Sequence, residues 1–342
     1  MERILVIQTA FIGDAVLTLP MIEKLKEMNP ESAVDVIANP STAEIFNASP
    51  FVDEVLVLDK RNEHKSISST NRFAESLKTK NYKKIYSPHR SMRSSLIVKK
   101  IDPEQSFGFS NSSHKSAYKT LIEYNNNAHE VQRNLDLIGW KYSGEEWKFL
   151  PRLEVPENTV KKMDNFFVNY LSDKKIVAVA PGSVWQTKRY PEEYYTEVIR
   201  RLLDLKFGII LLGGNNDAEL CDNIAEKFEG SDVYSAAGEF SLVESVELLK
   251  RTVLLISNDS APTHFGMCAD IPVLTIYCST AADFGFAPYN QKSAVVSYNK
   301  LYCKPCGIHG YEKCPIGTFE CGKNLMPELI ISKIEEMLND KS

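Results

Sequence analysis

The chain has 342 residues, 43% of them hydrophobic and 25% charged, with a net charge of −5. That composition excludes a disordered or fibrous chain. The length exceeds what one hydrophobic core usually fills, so two domains of about 150 to 170 residues each are expected. No apolar run approaches the ~18 residues that span a bilayer, and Glu2 and Arg3 lead into a strand rather than a signal peptide. A cytoplasmic protein is expected, and seven scattered cysteines, an odd number, fit a reducing compartment better than a disulfide framework.

The first strand, Ile4 to Ile7, is continuously apolar, as strands covered on both faces of a parallel sheet are. A short loop follows, and its one ionisable group is Asp14. Ligands of open α/β sheets bind beyond the carboxyl ends of the strands, so Asp14 sits where chemistry would be done. It could equally cap the helix that follows. Pro20 lies in that helix, which either kinks there or begins there. AVDVIAN (33–39), VDEVLVLD (52–59) and YKKIYSP (82–88) read as further strands, with helical pieces between them.

Residues 60 to 100 hold twelve lysines and arginines against Glu63 and Glu75, a local charge of +10 in a chain of −5. A basic face on an acidic protein suggests an anionic partner, either a phosphorylated substrate or a membrane surface. Nucleic acid is not favoured, because stacking aromatics do not alternate with the cations. Within this stretch His89, Arg90 and Arg93 follow a strand end, where forked hydrogen bonds could hold an acidic acceptor. Solvated helix faces would give the same composition. HEVQRNLDLIG (129–139) has helical apolar spacing and a glycine stop, so His129 reads as structural.

ENTVKKMDNFFVNYLSD (157–173) reads as a helix ending at the domain hinge, after which the opening pattern repeats. The loop after the strand KKIVAVA holds Gly182, Ser183 and Lys188, a plausible phosphate site. GxGxxG is absent from both loops, which removes support for hydride transfer. Ser241 with Glu244 forms a capping box. The buried strand VLLIS delivers NDSAPTH (258–264) to a helix start at about Pro262, where exposed amides favour an anion.

Four stretches, FIGDAVLTLP, APGSVWQTKRYP, NDSAPTHFGMCADIPVLTIYCST and CKPCGIHGYEKCPIGTFECGKN, run in order over essentially the whole chain. With them the sequence resembles glycosyltransferase family 9, the lipopolysaccharide heptosyltransferases. Ala261 stands where that family usually has glycine, and Tyr190 where tryptophan is common. The resemblance implies a GT-B fold, two Rossmann-like α/β domains facing each other across a cleft. It implies an acceptor-binding domain over 1–172, a nucleotide-sugar domain over 173–325, and a C-terminal helix over 326–342 packing back on the first. It places the general base on Asp14 and the diphosphate-binding lysine on Lys188. The donor loop would be Gly182 and Ser183 with Asp259, Ser260, Ala261, Pro262, Thr263 and His264. Gly13, His89, Arg90 and Arg93 fall on the acceptor side. The expected donor is an ADP-sugar, and the acceptor a phosphorylated, lipid-linked oligosaccharide at an anionic membrane surface.

No cofactor is expected. With no D-x-D in the chain, protein cations rather than a divalent metal would hold the diphosphate. Cys303, Cys306, Cys314 and Cys321, spaced C-x₂-C-x₇-C-x₆-C, could chelate zinc or remain thiols. Two other readings compete: a nucleotide-sugar epimerase or hydrolase of the same fold, and a nucleotide-sensing module without turnover.

Overall fold

The computed structural model describes residues 2–170 and 174–339, which divide into two compact units, Met1–Glu154 and Val155–Ser342. The first unit is a six-stranded sheet of β1 (Arg3–Ile7), β2 (Ala33–Ala38), β3 (Glu54–Val57), β4 (Tyr82–Ser87), β5 (Gln105–Phe109) and β6 (Thr120–Ile122). Its helices are α1 (Ile12–Met28), α2 (Ala43–Asn47), α3 (Ile67–Ser76), α4 (Met92–Ile101) and α5 (Glu130–Leu137). Every strand pairing is parallel and the order is β3-β2-β1-β4-β5-β6. The order reverses between β1 and β4. Such a switch point opens a crevice beyond the strand ends, so the loops after β1 and β4 line it.

The second unit repeats the plan. Helix α6 (Glu157–Tyr170) enters β7 (Ile176–Ala180), α7 (Glu192–Asp204), β8 (Gly208–Leu211), α8 (Ala218–Glu226) and β9 (Val233–Ser235). Then follow α9 (Leu242–Leu249), β10 (Leu254–Asn258), α10 (Ala261–Cys268), β11 (Val273–Tyr277), β12 (Ala294–Ser297), α11 (Glu320–Lys323) and α12 (Pro327–Asn339). The parallel order is β12-β11-β10-β7-β8-β9, with its switch point between β7 and β10.

The strands β7, β10 and β11 are buried at every residue. Strand β7 is apolar throughout, as a strand covered on both faces tends to be, and the polar Ser257, Asn258 and Thr275 of the other two are hydrogen-bonded. Helix α1 starts at Ile12 and runs through Pro20, whose ring is buried. Ser241 and Glu244 form the expected capping box at α9. His129 caps α5 by accepting the Val131 amide at 3.2 Å.

Two boundaries differ from the sequence reading. Helix α6 belongs to the second unit, because Phe166 packs edge-on against Tyr234 and Phe240 while Asp164 pairs with Arg251 at 2.6 Å. The units therefore part before α6, at Glu154 and Val155, and the hinge expected at 171–173 lies outside the described residues. Helix α12 has its packing partner in α7: Ile330 and Ile334 enter the second unit's core and Glu335 pairs with Arg201 at 2.8 Å. These contacts are in the second unit, whereas the expectation placed the helix against the first.

Candidate active site

At the switch point of the first unit, four loops meet on Thr9 and Ala10. The Thr9 hydroxyl lies 2.9 Å from His89 Nδ1, Lys60 Nζ donates to the Thr9 carbonyl at 2.5 Å, and Asn39 Nδ2 donates to the Ala10 carbonyl at 2.7 Å. The loops after β1, β2, β3 and β4 are thereby fastened together just before Gly13 and Asp14 in the first turn of α1. Asp14 does accept the Phe11 amide at 3.2 Å, so the capping role is real. That bond lowers its pKa, yet burial first and the negative charge of Glu130 second raise it to about 7. A carboxyl poised there is suited to take a proton near neutral pH.

The three acceptor-side residues after β4, which with Gly13 make up the expected set, have different partners. His89 is pushed down to about 4 by burial and by the nearby Lys60 and Arg90, and it also bonds Ser94 Oγ at 3.0 Å. It is a neutral scaffold group rather than a cation. Arg93 gives its guanidinium to the carbonyls of His64 and Lys65, pinning the loop before α3. Arg90 lies with its guanidinium carbon 4.1 Å from the centre of the Tyr124 ring. The basic run is also partly neutralised: Lys78 and Lys100 pair with Glu75, Lys80 with Glu54, and Lys83 with Glu104. Tyr124, Glu130 and Arg133 were missed in the sequence because 124–133 carries no strand-end signal.

At the second switch point Lys188 Nζ is 2.7 Å from Asp259 Oδ2, a pair joining the loop after β7 to the loop after β10. Thr280 Oγ1, from the loop after β11, donates to the same oxygen at 2.7 Å. Asn258 locks the arrangement: its Nδ2 donates to the Pro181 carbonyl at 2.7 Å and its Oδ1 accepts the Tyr190 amide at 2.9 Å. Tyr190 is itself a core residue, with its hydroxyl on the Leu325 carbonyl at 2.6 Å.

Ser260 is the N-cap of α10, and Ala261, Pro262 and Thr263 open the helix. His264 follows, 4% exposed, with Nδ1 lacking a hydrogen-bond partner. Burial first and Lys188 second push it down to about 3. A buried polar nitrogen, a cation and the positive end of an eight-residue helix make this a place for an anion.

Gly182 has no room for a side chain, since a Cβ there would come within 2.2 Å of Asp217 Oδ1. Asp217 in turn accepts the Gly214 amide at 3.1 Å, and Arg189 donates from Nε to the Ser183 carbonyl at 2.8 Å.

The cysteine tail buttresses this loop. The Thr187 amide donates to the Tyr311 carbonyl at 3.0 Å, the Tyr311 amide returns a bond to Thr187 Oγ1 at 2.8 Å, and the Cys306 amide bonds the Ser279 carbonyl at 2.8 Å. Cys303, Cys306, Cys314 and Cys321 are free thiols lining one cavity of about 310 Å³. Among the described residues, no group of three or more His, Cys, Asp or Glu side chains could hold a metal ion.

Two parallel six-stranded sheets with one topology, each with a switch point in its strand order, define the GT-B fold. The sequence profile of glycosyltransferase family 9 (heptosyltransferase) matches residues 70–312, and the chain belongs to that family. It is 22% identical to lipopolysaccharide heptosyltransferase 2 of Salmonella typhimurium, in an alignment covering 99% of each chain. The fold matches E. coli ADP-heptose lps heptosyltransferase II with a TM-score of 0.81 at 20% identity over 100% of both chains. It matches the family 9 glycosyl transferase of Veillonella parvula with a TM-score of 0.85 at 22% identity over 99% and 98% of the two.

Proposed function

We propose that this enzyme moves a heptose from ADP-heptose to the inner core of lipopolysaccharide, with inversion. Similarity along the full length to lipopolysaccharide and ADP-heptose enzymes supports the substrate class. The observation that carries the chemistry is the place of Asp14, a carboxyl in the first turn of α1 beyond the carboxyl end of β1 at the switch point of the first sheet. The acceptor oxygen attacks the anomeric carbon and passes its proton to Asp14. The bond from that carbon to the diphosphate breaks, and its electron pair leaves on the phosphate oxygen. Lys188 and the first amides of α10 face the charge that develops there, the arrangement in which fixed donors speed a reaction most.

On the acceptor side Arg90, with Gly13 at the start of α1, would meet a phosphorylated, lipid-linked oligosaccharide. No helix among the described residues is long and apolar enough to cross a membrane. Contact with the anionic inner face would therefore be peripheral, through the basic 60–100 segment.

Incubating the purified protein with a panel of nucleotide sugars and core acceptors, and weighing the products, tests the proposal. A heptosylated acceptor formed together with ADP is expected. Sugar release without acceptor consumption would replace transfer by hydrolysis, and ADP binding without any turnover would leave a sensing module.

A further inference from the structure

The geometry points to Glu130, on the helix packed against α1, as a positioning residue for the Asp14 side of the site, joined through Tyr124 to the acceptor-side Arg90. This rests on the reading of Asp14 as the general base. Glu130 opens α5 and is 6% exposed. Helix α5 packs against α1, and Asn134 Nδ2 donates to the Leu17 carbonyl at 3.0 Å, fixing the two helices in register.

Glu130 Oε2 receives Arg133 Nη1 at 2.9 Å and the Tyr124 hydroxyl at 3.2 Å. Glu130 is therefore the carboxylate with an arginine and a hydroxyl donating to it, while Asp14 is held by main-chain amides. When two carboxylates interact, the less well-partnered one is pushed to hold the proton. The Tyr124 ring is contacted by two guanidinium carbons, Arg90 at 4.1 Å and Arg133 at 4.6 Å.

One aromatic ring thus fastens the two charges that act on Asp14 in opposite senses. Besides the Phe11 amide of its own helix, these are Glu130 on α5, which raises its pKa, and Arg90 in the loop after β4, which lowers it. An anionic acceptor group paired with Arg90 would cancel that arginine's pull. Glu130 would then dominate, so the base strengthens as the acceptor arrives. The cluster couples the basicity of Asp14 to an acidic group on the acceptor.

The test is the pH dependence of single-turnover transfer in the full-length parent, in Glu130→Gln, and in Glu130→Gln/Arg133→Met, which removes both buried charges and leaves none unpaired. With the negative neighbour gone, ionised Asp14 is easier to form. The acid limb should move down by about one pH unit in both variants, and the plateau rate at high pH, where Asp14 is ionised in all three proteins, should fall roughly three- to tenfold because the base is weaker. Affinity for ADP by calorimetry should be unchanged. If the single variant fails to fold, the double variant carries the test. An acid limb that overlays the parent's, or moves up, overturns the role of Glu130 even when Asp14→Asn is inactive. An Asp14→Asn enzyme at the parent rate overturns the general-base reading instead.

Discussion

Lys188 and Asp259 form a nearly buried ion pair, 2.7 Å between Nζ and Oδ2, with each side chain little more than a tenth exposed. The lysine is thus held in place across the switch point before any diphosphate is present. Removing it loses the cation and also leaves a buried carboxylate with Thr280 as its remaining side-chain donor.

Lys188→Ala should weaken ADP binding by roughly ten- to a hundredfold, the worth of a charge-assisted bond of ~1.5 to 3 kcal/mol. Turnover should drop further, because the leaving group is also less stabilised. Calorimetric titration with ADP, alongside single-turnover rates, separates the two effects. An unchanged dissociation constant would remove Lys188 from the donor site.

Asp14→Asn keeps the cap on the Phe11 amide and removes the base. Turnover should fall by ~10² to 10⁴, with ADP affinity unaltered. Stability should move the other way. A carboxyl whose folded pKa, about 7, lies above its ordinary value of 3.8 favours the fold below the lower figure and loses that contribution as pH rises through the upper one. The variant should therefore melt at a higher temperature than the parent at pH 8, with the gap narrowing toward pH 4. Melting curves at those two pH values decide it, and equal melting temperatures at pH 8 would contradict the raised pKa.

His264 has the opposite sign. Its folded pKa of about 3 lies below the ordinary 6.5, so the unfolded chain takes up the proton first and stability falls as pH drops below 6.5. Between pH 6.5 and 5 this one ring should cost at most about 2 kcal/mol, at ~1.4 kcal/mol per pH unit. Denaturant midpoints measured at pH 7.5 and pH 5 should separate less in His264→Gln than in the parent. An identical separation would mean that the ring is not held neutral by the fold.

Transfer should persist in EDTA. In the proposed mechanism Lys188 and the α10 amides meet the charge of the departing diphosphate, so no divalent ion is called on to do so. A rate abolished by EDTA and restored by magnesium would refute this.

The centre of each sheet was legible because a strand buried on both faces must be written in apolar residues, as Ile4 to Ile7 and Ile176 to Ala180 are. The flanking strands β5, β6, β9 and β12 were not singled out. They are short and, apart from Ser106, Gly108 and Phe109 of β5, only partly buried or exposed, so little in their sequence distinguishes them from loops. Asp14 and Lys188 could be found from position alone, each following a buried strand.

Glu130 could not, because its influence on Asp14 exists only once α5 has packed on α1, more than a hundred residues along the chain. Arg93 shows the converse. Its residue type and place suggested a ligand contact, but the carbonyls it serves belong to a loop whose path the sequence does not reveal.

The contact of Gly182 with Asp217 bears on how this enzyme could be re-engineered. A side chain at 182 would have to evict Asp217, and Asp217 holds the turn at Gly214 that starts the next helix. The loops after β7 and β8 therefore behave as one mechanical part. Grafting the first loop from a relative, to change which nucleotide sugar is accepted, should misfold the graft unless the second is carried with it.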